Sequence, residues 1–197
     1  EDHVRRMHLL VTIGVTAVAT IAYLAVIVLT RPDLPATMAT HFGVSGAADS
    51  FMRTPLALLF QGVAVIGVPL ALLVVFGVGQ WWRGEGARPL SALISGLSAG
   101  LTTMFVMITL RHVGIEDPAT VALDWTVGAL SLGIGAVVAV LAALLLPPAL
   151  PQPAPDPVEP LRIAPSDRVS WFGAAHTSRT ALIVLAIGVL VLAGSAI

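Results

Sequence analysis

The 197-residue sequence has no cysteine, no lysine and no asparagine, and only 11% of its residues are charged. The lack of cysteine excludes disulfides, thiolate metal sites and cysteine nucleophiles. A soluble domain carries about 25% charged residues, so the low charge content argues against a fold in water. The net charge of −1 provides no basic surface for nucleic acid. The ten cationic residues are all arginine, and this residue usage is typical of a GC-rich bacterial genome.

What the sequence has instead is long apolar runs. Hydrophobic residues make up 57% of the chain, and about five runs reach the roughly 18 residues that indicate a membrane span. Backbone inside a bilayer must satisfy its own hydrogen bonds, which makes each run a helix. We therefore predict an all-α fold, a polytopic transmembrane helical bundle of about five spans whose first partner is the lipid bilayer. The spans cover about residues 7–30, 55–80, 90–110, 124–146 and 180–197.

The arginines are distributed unevenly between the connections. Cytoplasmic segments carry more arginine than external ones, and placing the N-terminus in the cytoplasm satisfies this rule by seven to three. The cytoplasmic set is then Arg5, Arg6, Arg83, Arg88, Arg162, Arg168 and Arg179, and the external set is Arg31, Arg53 and Arg111. We predict a multi-pass protein of the bacterial cytoplasmic (inner) membrane with a cytoplasmic N-terminus.

The chain divides into four parts. Residues 7–80 form a helix–external loop–helix unit, and residues 81–146 form a second pair of spans. Residues 147–179 form a proline-rich cytoplasmic linker, in which a short alternating segment favours a β-hairpin. Residues 180–197 form the fifth span. Because the chain starts with Glu and its last apolar run reaches the final residue, we expect it to be part of a longer chain.

The middle of every span lacks Asp, Glu, Lys, Arg and His. A charge at the bilayer centre costs about 2.5–3.5 kcal/mol, so proteins retain one chiefly for transport, proton relay or sensing. A transporter is therefore disfavoured. Hydroxyl stripes on spans one and three either line a substrate path or bond back to their own helix, and we favour the second interpretation. The stripes are Thr12, Thr16 and Thr20, and Ser91, Ser95, Ser98 and Thr102.

Small residues recur at helical spacing on spans three and four. Gly96 and Gly100 form a GxxxG pair, and Ser131 and Gly135 belong to a second small-residue stripe. Such residues let two helix backbones approach closely. We predict that these four residues mark helix–helix contacts, either within the fold or with a membrane-protein partner or a second copy.

The segment Gly96–Gly100 also matches the G-x-S-x-G pattern of serine hydrolases, with Ser98 as the serine. That pattern requires a strand–turn–helix elbow, whereas this segment lies inside an apolar helix. The serine would also need a base at matching depth, and the nearest histidines, His8 and His112, lie at helix ends. We interpret the match as helix packing. With no metal, P-loop or dinucleotide motif, we predict no enzyme activity, no catalytic residue, no metal and no cofactor.

The external loop, residues 31–54, is longer than most unstructured connections, so we predict that it is structured. Its residues resemble DUF1648, a domain of unknown function, and the resemblance extends over roughly residues 9–76. The matching positions are Pro35, Thr40, His41, Phe42, Gly46, Asp49 and Arg53. Two positions depart from the family pattern: Ala36 replaces a charged residue, and Ser50-Phe51 replaces a glycine–aromatic pair.

DUF1648 is found at the N-terminus of SdpI-like bacterial membrane proteins. The resemblance implies the roles of that class, which are immunity and signalling against a secreted toxic peptide and sequestration of a repressor at the membrane. The rest of the chain does not follow the SdpI pattern. Immunity is therefore not our first hypothesis for the function of this chain.

His41 and Asp49 allow two interpretations. In the first they bind an external peptide, or a metal ion that would need three or four converging ligands. The further metal ligands would come from the other external loop, as His112, Glu116 and Asp117. In the second, which we favour, His41 hydrogen-bonds within a compact cap, Phe42 plugs the helix bundle and Asp49 pairs with Arg53.

Three functions follow from these features. We first expect a non-enzymatic membrane protein acting in recognition or signalling, or as an accessory subunit of a membrane complex, with a membrane-protein partner or as a homo-oligomer. The alternative is an immunity or peptide-sensing receptor of the SdpI type, which binds an external peptide. A small transporter or an intramembrane enzyme is the third. The loop residues Thr40, His41, Phe42, Gly46, Asp49 and Arg53 are the candidate ligand-binding or partner-binding set.

Overall fold

The computed structural model describes residues 2–148. The fifth predicted span, residues 180–197, lies outside the described residues, as does the linker with its predicted β-hairpin beyond residue 148. Within residues 2–148, four helices are long and apolar enough to cross a membrane, with mean hydropathies from 1.8 to 2.5. They coincide with the first four predicted spans. Helices of this length and hydropathy are typical of a membrane protein.

The helices and strands follow one another along the chain as α1, a hairpin, and three further spans. The spans are α1 (Asp2–Thr30), α2 with α3 (Thr54–Gly62 and Val68–Val78), α4 (Ala87–Arg111) and α5 (Trp125–Leu145). The first connection contains a 3-10 turn and two strands, Arg31–Asp33, β1 (Thr37–Phe42) and β2 (Ala48–Arg53). A second 3-10 turn, Pro118–Thr120, precedes α5. We call the end with β1 and β2 the hairpin end, and the opposite end the N-terminal end.

The connection between the first two spans is a β-hairpin, which the all-α prediction did not include. β1 and β2 pair antiparallel from Thr37 opposite Arg53 to Phe42 opposite Ala48, with irregularities on either side of His41. Along β2 the side chains alternate between exposed and half-buried positions. Each strand has only six residues, which is too short for a strong alternation signal in a sequence dominated by helical runs.

A π-helical turn, Val63–Gly67, joins α2 and α3 into one continuous span. Pro69 follows this turn and has no N–H, so it cannot donate to the carbonyl four residues back. The backbone hydrogen-bond pattern shifts by one residue there, because the Val68 N–H donates to the Val63 carbonyl, five residues back. The wider turn therefore accommodates the proline without ending the helix.

α4 lies at the centre of the bundle, packed along α1 on one side and α5 on the other. Its contact with α5 is made by backbone. A Cβ added to Gly96 would lie 2.6 Å from the Gly135 carbonyl oxygen, and one added to Gly135 would lie 2.8 Å from the Gly96 carbonyl oxygen. A Cβ on Gly100 would meet the Ser131 carbonyl oxygen at 3.1 Å. All four small residues thus lie between α4 and α5 of one chain.

Gly135→Ala is expected to destabilise the bundle by about 1–3 kcal/mol, because the new methyl group meets backbone that cannot move aside alone. Gly133→Ala on the same helix is the matched control, since a Cβ there meets nothing within 4 Å. The free energy of unfolding in mixed detergent micelles measures both variants. Equal stabilities of the two variants would contradict the close α4–α5 contact.

Candidate functional site

His112 connects the hairpin to the end of α4. Its side chain is fully buried at the residue that follows the helix. The Ala39 N–H of β1 donates to its Nε2 at 2.9 Å, and its Nδ1 lies 2.8 Å from the Ile108 carbonyl oxygen. Because Nε2 must accept, the proton is on Nδ1, which donates to Ile108. Both nitrogens of a neutral ring are thus engaged, and the hairpin is fixed to the helix through them.

The tip of the hairpin rests on the connection between α4 and α5. Gly46 has a φ of +81°, and a Cβ there would lie 2.0 Å from the Leu123 carbonyl oxygen. The Leu123 N–H donates to the Gly46 carbonyl at 2.9 Å, and Ala47 forms an isolated antiparallel bridge with Ala122. Gly46, singled out by the family resemblance, is therefore placed where only glycine fits.

The base of the hairpin is held by the start of α2. The Thr54 N–H donates to the Ala36 carbonyl at 3.0 Å, and the Thr54 hydroxyl donates to the Pro35 carbonyl. Met38 and Ala39 of β1 are fully buried. The hairpin is therefore attached to the bundle at its base, along β1 and at its tip.

An ion pair stabilises the connection between α4 and α5. Arg111 contacts Asp124 at 3.1 Å, and Asp124 caps α5 by accepting from the Thr126 N–H at 3.0 Å. The hydrogen bond from the Thr126 hydroxyl, followed by that from Arg111, lowers the pKa of the Asp124 carboxyl. The segment that supports Gly46 is thus held at both of its own ends.

The exposed side of the hairpin carries most of the predicted loop residues. His41 Nδ1 lies 2.5 Å from Asp49 Oδ1, with the two side chains 67% and 49% exposed. Asp49 therefore contacts His41 rather than Arg53. Phe42 is half-buried at the end of β1. Thr40 and Arg53 are exposed.

The residues of the alternative metal-binding interpretation do not come together. His112 uses both ring nitrogens inside the protein, and Asp117 caps the 3-10 turn through the Ala119 N–H. Among residues 2–148 no group of three or more His, Asp or Glu side chains is placed to hold a metal ion. His41 and Asp49 form a pair with no third partner of that kind in this part of the chain.

Large apolar side chains are also exposed at the hairpin end. Val44 at the hairpin tip is fully exposed, Phe51 of β2 is 44% exposed, and Trp125 at the start of α5 is 80% exposed. The hairpin end therefore presents both polar and apolar side chains to its surroundings.

Polar residues inside the spans pair across helices more often than the sequence interpretation expected. Ser98 and Thr12 do donate to their own helix, at the Ile94 and His8 carbonyls. However, Thr16 also pairs with Ser98 at 3.0 Å between α1 and α4. A further group joins the first three spans near the hairpin end, where Gln61 Oε1 accepts from Tyr23 at 3.4 Å and from Thr109 at 3.0 Å.

The buried contact between His8 and Ser91 was not expected from the sequence. His8 Nδ1 lies 2.9 Å from Ser91 Oγ, which also accepts from Trp81 Nε1 at 2.8 Å. A serine beside a histidine is a nucleophile–base combination, but both side chains are fully buried. The contact therefore fastens α1 to α4, and Ser98 has a threonine rather than a histidine as its partner.

Comparison with known families places the hairpin in context. Residues 15–65 match the model of the family described as Domain of unknown function (DUF1648). The matched segment runs from α1 through both strands to the π-helical turn, which confirms the DUF1648 resemblance for this part of the chain. No curated protein and no solved structure matches the chain.

The anchoring of the hairpin by His112 is expected to weaken at acidic pH. Burial lowers the pKa of the His112 ring from its ordinary value of 6.5, with the Ile108 hydrogen bond opposing this. A lowered folded pKa means that the stabilisation is complete above about pH 6.5 and is lost as pH falls through the folded value. Each unit of depression corresponds to about 1.4 kcal/mol.

Unfolding free energies of the wild type and of His112→Gln, measured between pH 7.5 and 5, test this expectation. Gln keeps an acceptor for the Ala39 N–H but does not titrate. The wild type should lose more stability than the variant over this range, and parallel pH profiles would show that His112 does not anchor the hairpin as a neutral ring.

Gly46→Ala is expected to detach the tip of the hairpin from Leu123. Gly114→Ala is the matched control, because Gly114 also has a positive φ, of +72°, but a Cβ there meets nothing within 4 Å. The control should lower the free energy of unfolding by about 1–2 kcal/mol, because alanine disfavours the positive φ. Gly46→Ala should lower it clearly more, because its Cβ also meets the Leu123 backbone. Hydrogen exchange of residues 37–53 and 121–124 should accelerate only in Gly46→Ala, and equal exchange in both variants would contradict the contact.

Proposed function

We propose that this chain is a non-enzymatic membrane protein that uses the outer side of its hairpin to recognise a protein or peptide. The observation that carries the proposal is the contrast between the two sides of the hairpin. One side is bound to the bundle at base, strand and tip. The other presents the His41–Asp49 pair beside exposed apolar side chains.

The attachment favours binding because it reduces the entropy lost when a partner docks. A free loop must be ordered on binding, at about 0.5–1.5 kcal/mol for each immobilised flexible side chain. Here the backbone beneath the site is already fixed by His112 and Gly46. A fixed platform is what a recognition surface requires.

The composition of the exposed side favours a proteinaceous partner. Val44 and Phe51 expose apolar surface that water does not stabilise, and aromatic residues are enriched among those that dominate binding energy. His41 and Asp49 add one donor and one acceptor group whose relative position is set by their mutual contact. Apolar side chains around a small polar pair suit a peptide or a protein edge better than a small charged solute.

The interior of the bundle supports a scaffold role rather than catalysis or transport. Several polar groups of the spans join helices, as in Thr16 with Ser98 and His8 with Ser91. Neither serine is exposed to a substrate. We therefore propose recognition, signalling or service as an accessory subunit of a membrane complex, as a homo-oligomer or with another membrane protein.

In the proposed orientation the N-terminus is in the cytoplasm of a bacterium and the hairpin is outside the inner membrane. The second candidate, an immunity or peptide-sensing receptor of the SdpI type, is supported by the DUF1648 match over residues 15–65. In that case the partner is a secreted peptide that reaches the exposed side of the hairpin.

Site-specific photocrosslinking in cells tests the recognition surface. Benzoylphenylalanine at Val44 is expected to yield one defined adduct, whereas the same group at Leu132, which is 77% exposed on α5, should yield none from the same partner. The adduct should decrease at least tenfold on combining His41→Ala with Asp49→Ala, because this removes the polar pair without touching the buried side of the hairpin.

Thermal unfolding of the double variant serves as the folding control. An undiminished adduct in a normally folded double variant, or the same adduct from Leu132, would overturn the proposal. If the adduct is a secreted peptide and the double variant loses tolerance to it, the receptor version is favoured over the accessory-subunit version.

A further inference from the structure

The N-terminal end of the bundle contains a cleft that the hairpin does not involve. Its volume is about 390 Å³, and it lies where α1 begins and α3 ends. The residues that line it include Asp2, Arg5, Val78, Gln80, Trp82 and Arg83. The first span begins and the second span ends at these residues, which corresponds to the depth of lipid headgroups when the two helices cross a bilayer.

Arg5 is held in place at the cleft by two aromatic rings that contact each other. Its guanidinium lies 5.2 Å from the centre of the Trp82 ring, a distance typical of cation–π contacts. Trp82 in turn packs edge-on against Trp81, with 5.2 Å between ring centres. Trp81 donates to the buried Ser91 hydroxyl. The position of Arg5 is therefore supported by a chain of contacts that ends between α1 and α4.

The turn that brings Arg83 to the cleft has an unfavourable backbone conformation. Gln80 has a φ of +52°, in the left-handed region that costs a residue other than glycine about 1–2 kcal/mol. The Arg83 N–H donates to the Gln80 carbonyl at 2.9 Å, which closes the turn. Backbone in such regions persists only where surrounding structure enforces it, and it concentrates at ligand-binding sites.

The charges of this end favour an anion. Among residues 2–148 the N-terminal end has four arginines against two acidic side chains, Asp2 and Glu85, whereas the hairpin end has three arginines against five acidic side chains. Arginine binds phosphate oxygens in a two-pronged geometry that lysine lacks. Val78, which lines the cleft, is 73% exposed. Leu10, which lines a second pocket that shares Asp2 and Arg5 with the cleft, is 61% exposed.

We propose that this cleft binds the phosphate of an anionic phospholipid, with Arg5 and Arg83 on the headgroup and Val78 and Leu10 along the acyl chains. The lipid then stabilises the contact between α1 and the turn after α3. This site is independent of the partner of the hairpin. A free phosphate ion could contact Arg5 but would leave the exposed apolar side chains of Val78 and Leu10 uncovered.

Native mass spectrometry of the full chain, released from micelles that contain equal amounts of phosphatidylglycerol and phosphatidylcholine, tests the proposal. The wild type should retain phosphatidylglycerol at least fivefold over phosphatidylcholine with the same acyl chains. Arg5→Gln should abolish this preference. Arg31→Gln, at an exposed arginine of the hairpin end, is the matched control and should keep the wild-type preference.

Two further measurements separate lipid binding from misfolding and from the binding of free phosphate. Asp2→Asn removes a negative charge from the cleft and should raise phosphatidylglycerol retention about twofold, a gain that misfolding cannot imitate. Inorganic phosphate at millimolar concentration should not displace the lipid. Equal retention of the two lipids, an unchanged preference in Arg5→Gln, or displacement by phosphate alone would overturn the proposal.

Discussion

A polar group buried inside a bilayer finds no water, so it must find its partner within the protein. This constraint organises the described part of the chain from one end to the other. His8 contacts Ser91 at the N-terminal end, and Thr16 contacts Ser98 nearer the middle. Towards the hairpin end, Gln61 accepts hydrogen bonds from two hydroxyls. Each contact joins different helices. Polar groups therefore fasten the helices together, while close backbone contact between α4 and α5 provides the packing.

Burial within the protein imposes a similar constraint on the backbone of the hairpin. β1 lies against the ends of the helices, where its buried backbone N–H at Ala39 needs an acceptor, and the ring of His112 supplies one. At the tip the backbone of Gly46 pairs with Leu123. Satisfying these groups leaves one side of the hairpin committed to the bundle. The opposite side, with His41 and Asp49, is free of that demand and is therefore the surface on which recognition can develop.

The two ends of the bundle differ in chemistry as well as in shape. The hairpin end has an excess of acidic side chains and exposed apolar residues such as Val44. The N-terminal end has an excess of arginine around a cleft supported by Trp81 and Trp82. Under the two proposals, one end binds a proteinaceous ligand and the other binds an anionic lipid, so the two contacts are made at opposite ends of the same bundle.

Several features followed from the sequence because their causes are local or compositional. Long apolar runs determine spanning helices whatever they pack against, so the first four spans were predictable. The spacing of Gly96 and Gly100 indicated close helix contact, since a missing Cβ is a property of the residue itself. The residues of the loop also indicated the DUF1648 resemblance. Whether these glycines contact a helix of the same chain or of a partner was left open, because their spacing does not identify the helix that they face.

What only the tertiary structure decided are the pairings between distant residues. His112 and Ala39 are 73 positions apart, and His8 and Ser91 are 83 positions apart. Nothing in the local sequence distinguishes these histidines from exposed ones such as His41. The sequence alone determined that the chain has apolar helices and a structured connection between the first two spans. Which polar group meets which, and hence which side of the hairpin remains available, was decided by packing, because a hydrogen bond depends on distance in space rather than along the chain.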